Sequence, residues 1–297
     1  MSFKKSSNRY WQRLMKKPEI FRRFTGITPD RFLEIAEKLQ PLYENWNQKR
    51  LSKRKRERNI GGGNKYILSL KDRLLILLIY YRTYSTYAVL SFIFGIDESN
   101  IGRNFKPLEP LLARIFRIPE RKIHVEEDEF MLAFFDGTEQ ERERPQKGQR
   151  KHYSGKRKKH TVKHQIVVVK KKKIRGRRKQ KRKLRIAAVS KVFVGKTHDK
   201  KMYDKTRVQK PPEVVGIGDS AYKKTVLITP HKKQKGKKLT KRQKRSNSNH
   251  SSKRICVEHG IGKMKIWRIV KDTFRNQKTN HTLIMKNVAG FHNLMFA

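Results

Sequence analysis

Hydrophobic residues in this chain fall into short periodic runs separated by basic stretches, and the period of those runs changes once. Toward the N-terminus the spacing is helical. Thr28-Pro29-Asp30 reads as a helix start, with Thr at the cap and Pro at the first position, where its missing N–H is no loss. Phe32, Ile35, Ala36 and Leu39 follow at helical spacing, and Pro41 is expected to end that helix. Residues 48–64 are basic and hold Gly61-Gly62-Gly63, which predicts a linker with a flexible joint. Ser69-Leu70-Lys71-Asp72 then resembles a capping box, with Asp where Glu is usual. Leu74, Leu77, Leu78 and Tyr81 line one face after it. A second short helix fits residues 86–94, Gly95 takes the turn, and Asp97 can cap a third helix with Ile101 and Phe105 inward. Three short helices with a Gly turn before the last match a helix-turn-helix. Ser99, Asn100, Arg103 and Asn104 then lie on the outer face of its recognition helix. Pro107 and Pro110 are expected to break or kink the chain just beyond it. A helical bundle used only for packing or dimerisation would carry the same pattern.

From Glu126 onward the runs are those of strands. Residues 130–135 are apolar and end in Asp136-Gly137-Thr138; residues 160–170 and 184–194 form two more strands. The charge run between them, 170–183, suits the tip of a long hairpin. A helix is expected over 199–208, a strand over 213–218 that ends at Asp219, and a short strand over 226–228. Residues 230–254 read as a basic loop rich in Ser and Asn, followed by helices over 255–270 and 283–296. That order predicts an α/β unit with a mixed sheet, preceded by an all-α one. The expected division is a basic N-terminal arm and linker over 1–60, a helix-turn-helix over 61–120 and the α/β domain over 121–297.

Charge narrows the class of partner. The chain has 76 Lys and Arg against 25 Asp and Glu, a formal net charge of +51. A surface so charged repels itself unless polyanions sit on it, and nucleic acid gains further from the counterions it releases. No amphipathic helix with a basic face supports a membrane-surface role, and no apolar run is long enough for a bilayer. The single cysteine, Cys256, excludes an internal disulfide framework and a cysteine-based zinc site. Cytoplasm, at the nucleoid, is the expected location.

With so few acids, their placement is informative. Asp136 and Asp219 each follow an apolar strand and precede a small residue, Gly137 or Ser220. Glu258 lies near the start of the helix after the basic loop. Carboxylates that converge in a positive protein repel one another, and hard divalent cations resolve that repulsion. Two such ions can activate a nucleophile and stabilise a leaving oxygen in phosphodiester chemistry. Taken singly, each acid also reads as a turn cap or the partner of a lysine.

The motifs go further together. The stretches from Phe134 to Glu139, Tyr153-Ser154-Gly155-Lys156, and Lys159 to Lys163 resemble the insertion-sequence transposases of the DDE superfamily, nearest the group of insertion sequence five. Thr197 to Lys200, Gly218 to Tyr222 and Arg254 to Gly262 continue the likeness in family order. The resemblance covers residues 65–297, the helix-turn-helix included. It implies an RNase H-like fold, with Asp136, Asp219 and Glu258 as the catalytic and metal-binding carboxylates. It implies Mg²⁺ or Mn²⁺, two ions in all, and double-stranded DNA as substrate: terminal inverted repeats, then target DNA. It implies hydrolysis followed by strand transfer, and a homodimer or higher oligomer on DNA is expected. Arg254, Glu258 and Lys265 match a Tyr-Arg-Glu-Lys signature of related families, whose Tyr is replaced here by Ser251. Arg254, Lys265, Lys156 and Lys159 are expected on DNA phosphate. Asp199 reads as a turn or helix cap, with an auxiliary active-site role as the alternative, and His160 and His164 as strand histidines near DNA. A catalytically inactive DNA-binding relative and a structural RNA-associated basic protein remain as other readings.

Overall fold

The computed structural model describes residues 10–53, 67–124, 131–171, 184–276 and 280–296. It divides into two compact units: Met1–Phe116 with Ile266–Ile269, and Arg117–Lys265 with Val270–Ala297. Of the linker expected over 48–64, residues 48–52 are helical and 54–64 lie outside the described residues; of the hairpin tip expected over 170–183, residues 172–183 lie outside them.

The first unit holds α1 (Tyr10–Met15), α2 (Pro18–Thr25), α3 (Pro29–Ser52), α4 (Leu70–Thr83), α5 (Tyr87–Phe94) and α6 (Glu98–Phe116). The capping box forms: Ser69 Oγ accepts from the Asp72 amide at 3.1 Å, and Asp72 Oδ2 accepts from the Ser69 amide at 3.3 Å. Ten consecutive residues of α4, Asp72 to Tyr81, are buried, so this helix is the core of the unit rather than a half-buried face. The basic N-terminal segment does not stand apart, because α2 packs on α4 and α3 on α6.

Two proline expectations fail. α3 runs through Pro41, and α6 runs through Pro107 and Pro110. A proline frees the carbonyl four residues earlier; here those residues are Glu37, Arg103 and Lys106, all exposed, on sides of the helices open to solvent. Burial of Phe32, Ile35 and Leu39 in α3, and of Leu108, Leu111 and Leu112 in α6, offsets the lost bonds.

The second unit is a mixed sheet with helices. Its elements are β1 (Met131–Glu141), α7 (Gln149–His152), β2 (Tyr153–Ser154), β3 (Lys159–Lys171), β4 (Leu184–Val189), β5 (Phe193–Val194), α8 (Asp199–Thr206), β6 (Val215–Ile217), a 3₁₀ turn (Ser220–Tyr222), α9 (Lys241–Met264) and α11 (His281–Phe296); the short α10 (Arg268–Lys271) before the last is divided between the two units. β1 lies between antiparallel β3 and parallel β6, and β3 pairs β4 and β5 as well as β2. Side chains alternate across the strands. Ala133 and Phe135 of β1 join Val167, Val169, Tyr222 and Leu227 in a cluster that Tyr203 of α8 covers. α9 lies over the side of Val168, which approaches Gly260 of that helix.

Three sequence expectations change. The first strand does not end at Asp136; it continues to Glu141, held by antiparallel pairing with β3. The strand expected over 184–194 stops at Val189 and resumes only as the two residues of β5. The segment read as a basic loop is helical from Lys241, because Thr240 and Gln243 form a second capping box ahead of a run without Gly or Pro.

Candidate active site

Register decides which acids meet. β6 runs parallel to β1 with Leu132 beside Val215, Ala133 beside Gly216 and Phe134 beside Ile217. Beyond the last pair the same offset carries Asp136 and Asp219 toward the same end of the sheet, near enough for the Asp219 charge to act on the Asp136 carboxyl. Each carboxylate is oriented by backbone. The Gly137 amide donates to Asp136 Oδ1 at 2.9 Å, and the Ala221 amide donates to Asp219 Oδ1 at 2.9 Å, where Asp219 caps the 3₁₀ turn.

Asp136 carries the strain of the site. Burial pushes its carboxyl up to about 6; the Arg254 guanidinium and the Gly137 amide oppose this, while Asp219 and Asp199 add to it. Arg254 Nη2 lies 3.6 Å from Asp136 Oδ2, with side chains only 18% and 22% exposed. The Arg254 Nε is buried with no hydrogen-bond partner. A guanidinium therefore stands where a cation would be wanted. Carboxylate oxygens as the donors, with a cation already drawn to one of them, fit a hard divalent ion.

Glu258 is not drawn in. It lies one turn beyond Arg254 on α9 and is exposed, while Val257, Gly260 and Ile261 are the residues of that turn that pack. Among the described residues no three His, Cys, Asp or Glu side chains stand close enough to hold a metal ion. The structure thus brings Asp136 and Asp219 together and leaves Glu258 at the surface.

Asp199 is not the cap that one of its two sequence readings made it. The cap of α8 is His198, whose Nδ1 accepts from the Lys200 amide at 3.2 Å. Asp199 is the first helical residue, and its carboxylate lies against the backbone of β1: a Cβ on Gly137 would come within 2.9 Å of Asp199 Oδ1. Burial raises the Asp199 carboxyl, Lys163 lowers it and Asp219 raises it again.

Lys163 Nζ donates to the Thr197 carbonyl at 3.2 Å and lies 3.8 Å from Glu139. Lys265 is half-buried; burial lowers its ammonium, Arg157 lowers it further, and Asp136 and Glu139 raise it. Lys156 is exposed, and Lys159 is exposed and paired with Glu141 at 2.8 Å. In the first unit Ser99, Asn100 and Arg103 are exposed on α6 and Asn104 is half-exposed, with Ile101 and Phe105 buried behind them. His164 is not a surface residue. It is buried, with Nδ1 at 2.8 Å from the Ser190 carbonyl and Nε2 at 2.7 Å from His281 Nδ1, which welds β3 to α11.

Residues 135–293 match the family described as DDE superfamily endonuclease, and residues 67–118 match the helix-turn-helix of DDE superfamily endonuclease. The chain is 30% identical over 248 residues to a protein of Microchaete diplosiphon described as the probable transposase for insertion sequence element IS702, covering 79% of this chain and 84% of that one. It is 25% identical over 236 residues to a protein of Streptomyces albus G described as a transposase for insertion sequence element IS112, covering 78% and 82%. No solved structure matches the chain.

Proposed function

The chain belongs to the DDE superfamily endonucleases, with an RNase H-like α/β unit behind a helix-turn-helix, and on that premise we propose that it is a DNA transposase that cuts the ends of its element and joins them to target DNA. One observation supports the reading: the parallel register of β1 and β6 carries Asp219 toward Asp136, whose carboxylate Arg254 approaches to 3.6 Å, on a chain of net charge +51.

Asp136 and Asp219 would hold Mg²⁺ or Mn²⁺, and Glu258 would complete the set by turning in along the helix face it shares with Arg254. The ions supply Lewis acidity and charge for in-line displacement at phosphorus. The chain supplies the rest. The amides of Gly137 and Ala221 hold the two carboxylates in place. Arg254 releases Asp136 and, with Lys265, Lys156 and Lys159, takes the phosphates of the bound end. Water attacks a phosphodiester at the element end, the P–O3′ bond breaks and a 3′-hydroxyl is released. That hydroxyl then attacks a target phosphodiester, forming one P–O bond as another breaks. The outward residues of α6, Ser99, Asn100, Arg103 and Asn104, read the terminal inverted repeat. Assembly on DNA as a homodimer or higher oligomer would bring two ends together, in the cytoplasm at the nucleoid.

The test is Asp136→Asn with duplexes carrying the element's ends. Gel shift should show wild-type binding, and nicking in Mg²⁺ should vanish; full nicking by the variant would remove this site. The exposed position of Glu258 favours one other reading, a DNA-binding relative without nuclease activity. Wild-type protein that binds the ends yet cuts them in neither Mg²⁺ nor Mn²⁺ would establish it.

A further inference from the structure

We propose that a recess beside Tyr153 takes an unpaired nucleotide of the bound DNA, its base stacked on the tyrosine ring and its phosphates held by Arg150 and Lys196. The recess rests on the reading of the chain as a DNA-processing enzyme and adds to it a base-binding site apart from the carboxylates.

The recess measures about 610 Å³ and is lined by Gln149, Arg150, Tyr153, Gly155, His160 and Lys196. Pockets for small ligands span roughly 300–1,000 Å³. Local contacts hold its walls. Tyr153 of β2 stands opposite His160 of β3, and the two rings meet edge-on with centroids 5.7 Å apart. Ser154 is buried and ties the turn that follows: its hydroxyl accepts from the Arg157 amide at 3.3 Å and its carbonyl from the Lys158 amide at 2.8 Å. On the far wall the Lys196 amide donates to the Lys151 carbonyl at 3.3 Å. A Cβ on Gly195 would come within 2.5 Å of the His152 carbonyl, so only glycine lets that wall lie so close to α7. The tyrosine is thus fixed by its neighbours, yet it stays 42% exposed.

Charge and chemistry name the occupant. Residues 144–198 contain no Asp or Glu. Arg150 and Lys196 are exposed and make no ion pair among the described residues. A single exposed aromatic is ordinary, and so is an exposed lysine. A fixed ring between two unpaired cations is the arrangement that binds single-stranded nucleic acid, where bases stack on aromatics and basic groups follow the backbone. A base inside a duplex has both faces covered by its neighbours, so the base that reaches this ring is one out of the stack.

The recess also faces the correct way. Asp136 stands opposite Ile166 on β3, six residues from His160. Side chains alternate along a strand, so Tyr153, His160 and Asp136 share one face of the sheet. Six residues of strand span about 20 Å, which separates the recess from the carboxylates. Arg157, in the turn after Ser154, is near enough to Lys265 for its charge to act there, as that of Asp136 does, so basic groups link the two places.

The experiment measures binding of the full chain by fluorescence anisotropy, without divalent ions, to oligothymidylate and to an abasic strand with the same number of phosphates. Wild type should bind the strand with bases about fivefold tighter or more. Tyr153→Ala should bind both strands alike, at the wild-type affinity for the abasic one. Tyr153→Phe should keep the preference, because the ring stacks and the hydroxyl does not. Lys196→Ala should weaken both strands by a similar factor and leave the preference intact. Wild type with no preference for bases, Tyr153→Ala that retains it, or Tyr153→Phe that loses it overturns the inference. A preference that Tyr153→Ala abolishes, in a chain that cuts element ends in neither Mg²⁺ nor Mn²⁺, leaves the recess standing and removes the nuclease. Cutting of the ends without any preference for bases does the reverse.

Discussion

Two glycines on α9, Gly260 and Gly262, offer the same gain in helix propensity and should give opposite results. Replacing glycine by alanine in a helix interior is worth about 0.8–1.0 kcal/mol. Around Gly262 nothing lies within 4 Å of a new Cβ, so Gly262→Ala should realise that gain in full. At Gly260 the Cβ would stand 3.1 Å and 3.3 Å from the two γ-carbons of Val168 and 3.7 Å from Ile186 Cδ1. Comfortable carbon contacts are about 3.5–4.0 Å, so the neighbours must give by several tenths of an ångström. Val168 and Ile186 are 0% and 1% exposed and have little room to do so. Gly260→Ala should therefore be near neutral. Gly260→Leu, with three more carbons in the same space, should cost about 1–3 kcal/mol of overpacking, less the propensity gain. The cheapest relief is for α9 to lift, and α9 carries Arg254 and Glu258. A displacement of about 1 Å at a catalytic group costs on the order of 10²-fold in rate. Urea unfolding and end nicking in Mg²⁺ measure the two effects, with gel shift as the control because the helix-turn-helix belongs to the other unit. Gly260→Leu protein as stable as Gly262→Ala and cutting at the wild-type rate would refute the reasoning.

Two further predictions test other regions. Arg103→Ala, on the exposed face of α6, should weaken binding of the element's ends and reduce the salt slope of log K by about one, as for the loss of one phosphate contact; an unchanged affinity across salt would take α6 out of the interface. His164 is held neutral by burial, its imidazole lowered to about 4, and His281 is lowered by the same cause. A folded value below the unfolded one gives stability that is complete above about pH 6.5 and lost as pH falls toward 4, roughly 2 kcal/mol for His164 by pH 5. The stability difference between wild type and His164→Gln, from urea midpoints at pH 7.5 and pH 5, should shrink by about that much; a constant difference would show that His164 is not buried neutral.

Much of the fold is set by neighbours along the chain. The capping box at Ser69 and Asp72 forms as read, Thr86 caps α5 by accepting from the Val89 amide, and Gly95 takes the left-handed turn with φ of 61°. These are contacts within one turn, so the residues that make them stand together in the sequence. The readings that failed depended on surroundings. Pro41 was expected to end its helix and Pro107 and Pro110 to break or kink theirs; no break occurs, since whether water can reach a freed carbonyl is decided by which side of the helix faces solvent. The strand through Asp136 continues because β3 supplies a partner; the early start of α9 is the exception, since the Thr240 and Gln243 cap is a local signal that the loop reading passed over.

By itself the chain of residues determined the order of helices and strands, the excess of positive charge and the few acids from which a site could be drawn. Alternation, capping and turns act over a few residues, and so they are written locally. Tertiary structure alone decided which acids meet: a parallel register carries Asp219 toward Asp136, α9 lays Arg254 against Asp136, and the packing face of that helix leaves Glu258 in solvent. Each of these depends on the distance between elements remote in sequence, and that distance is set by the packing of the sheet and its helices, which no single stretch of the chain contains.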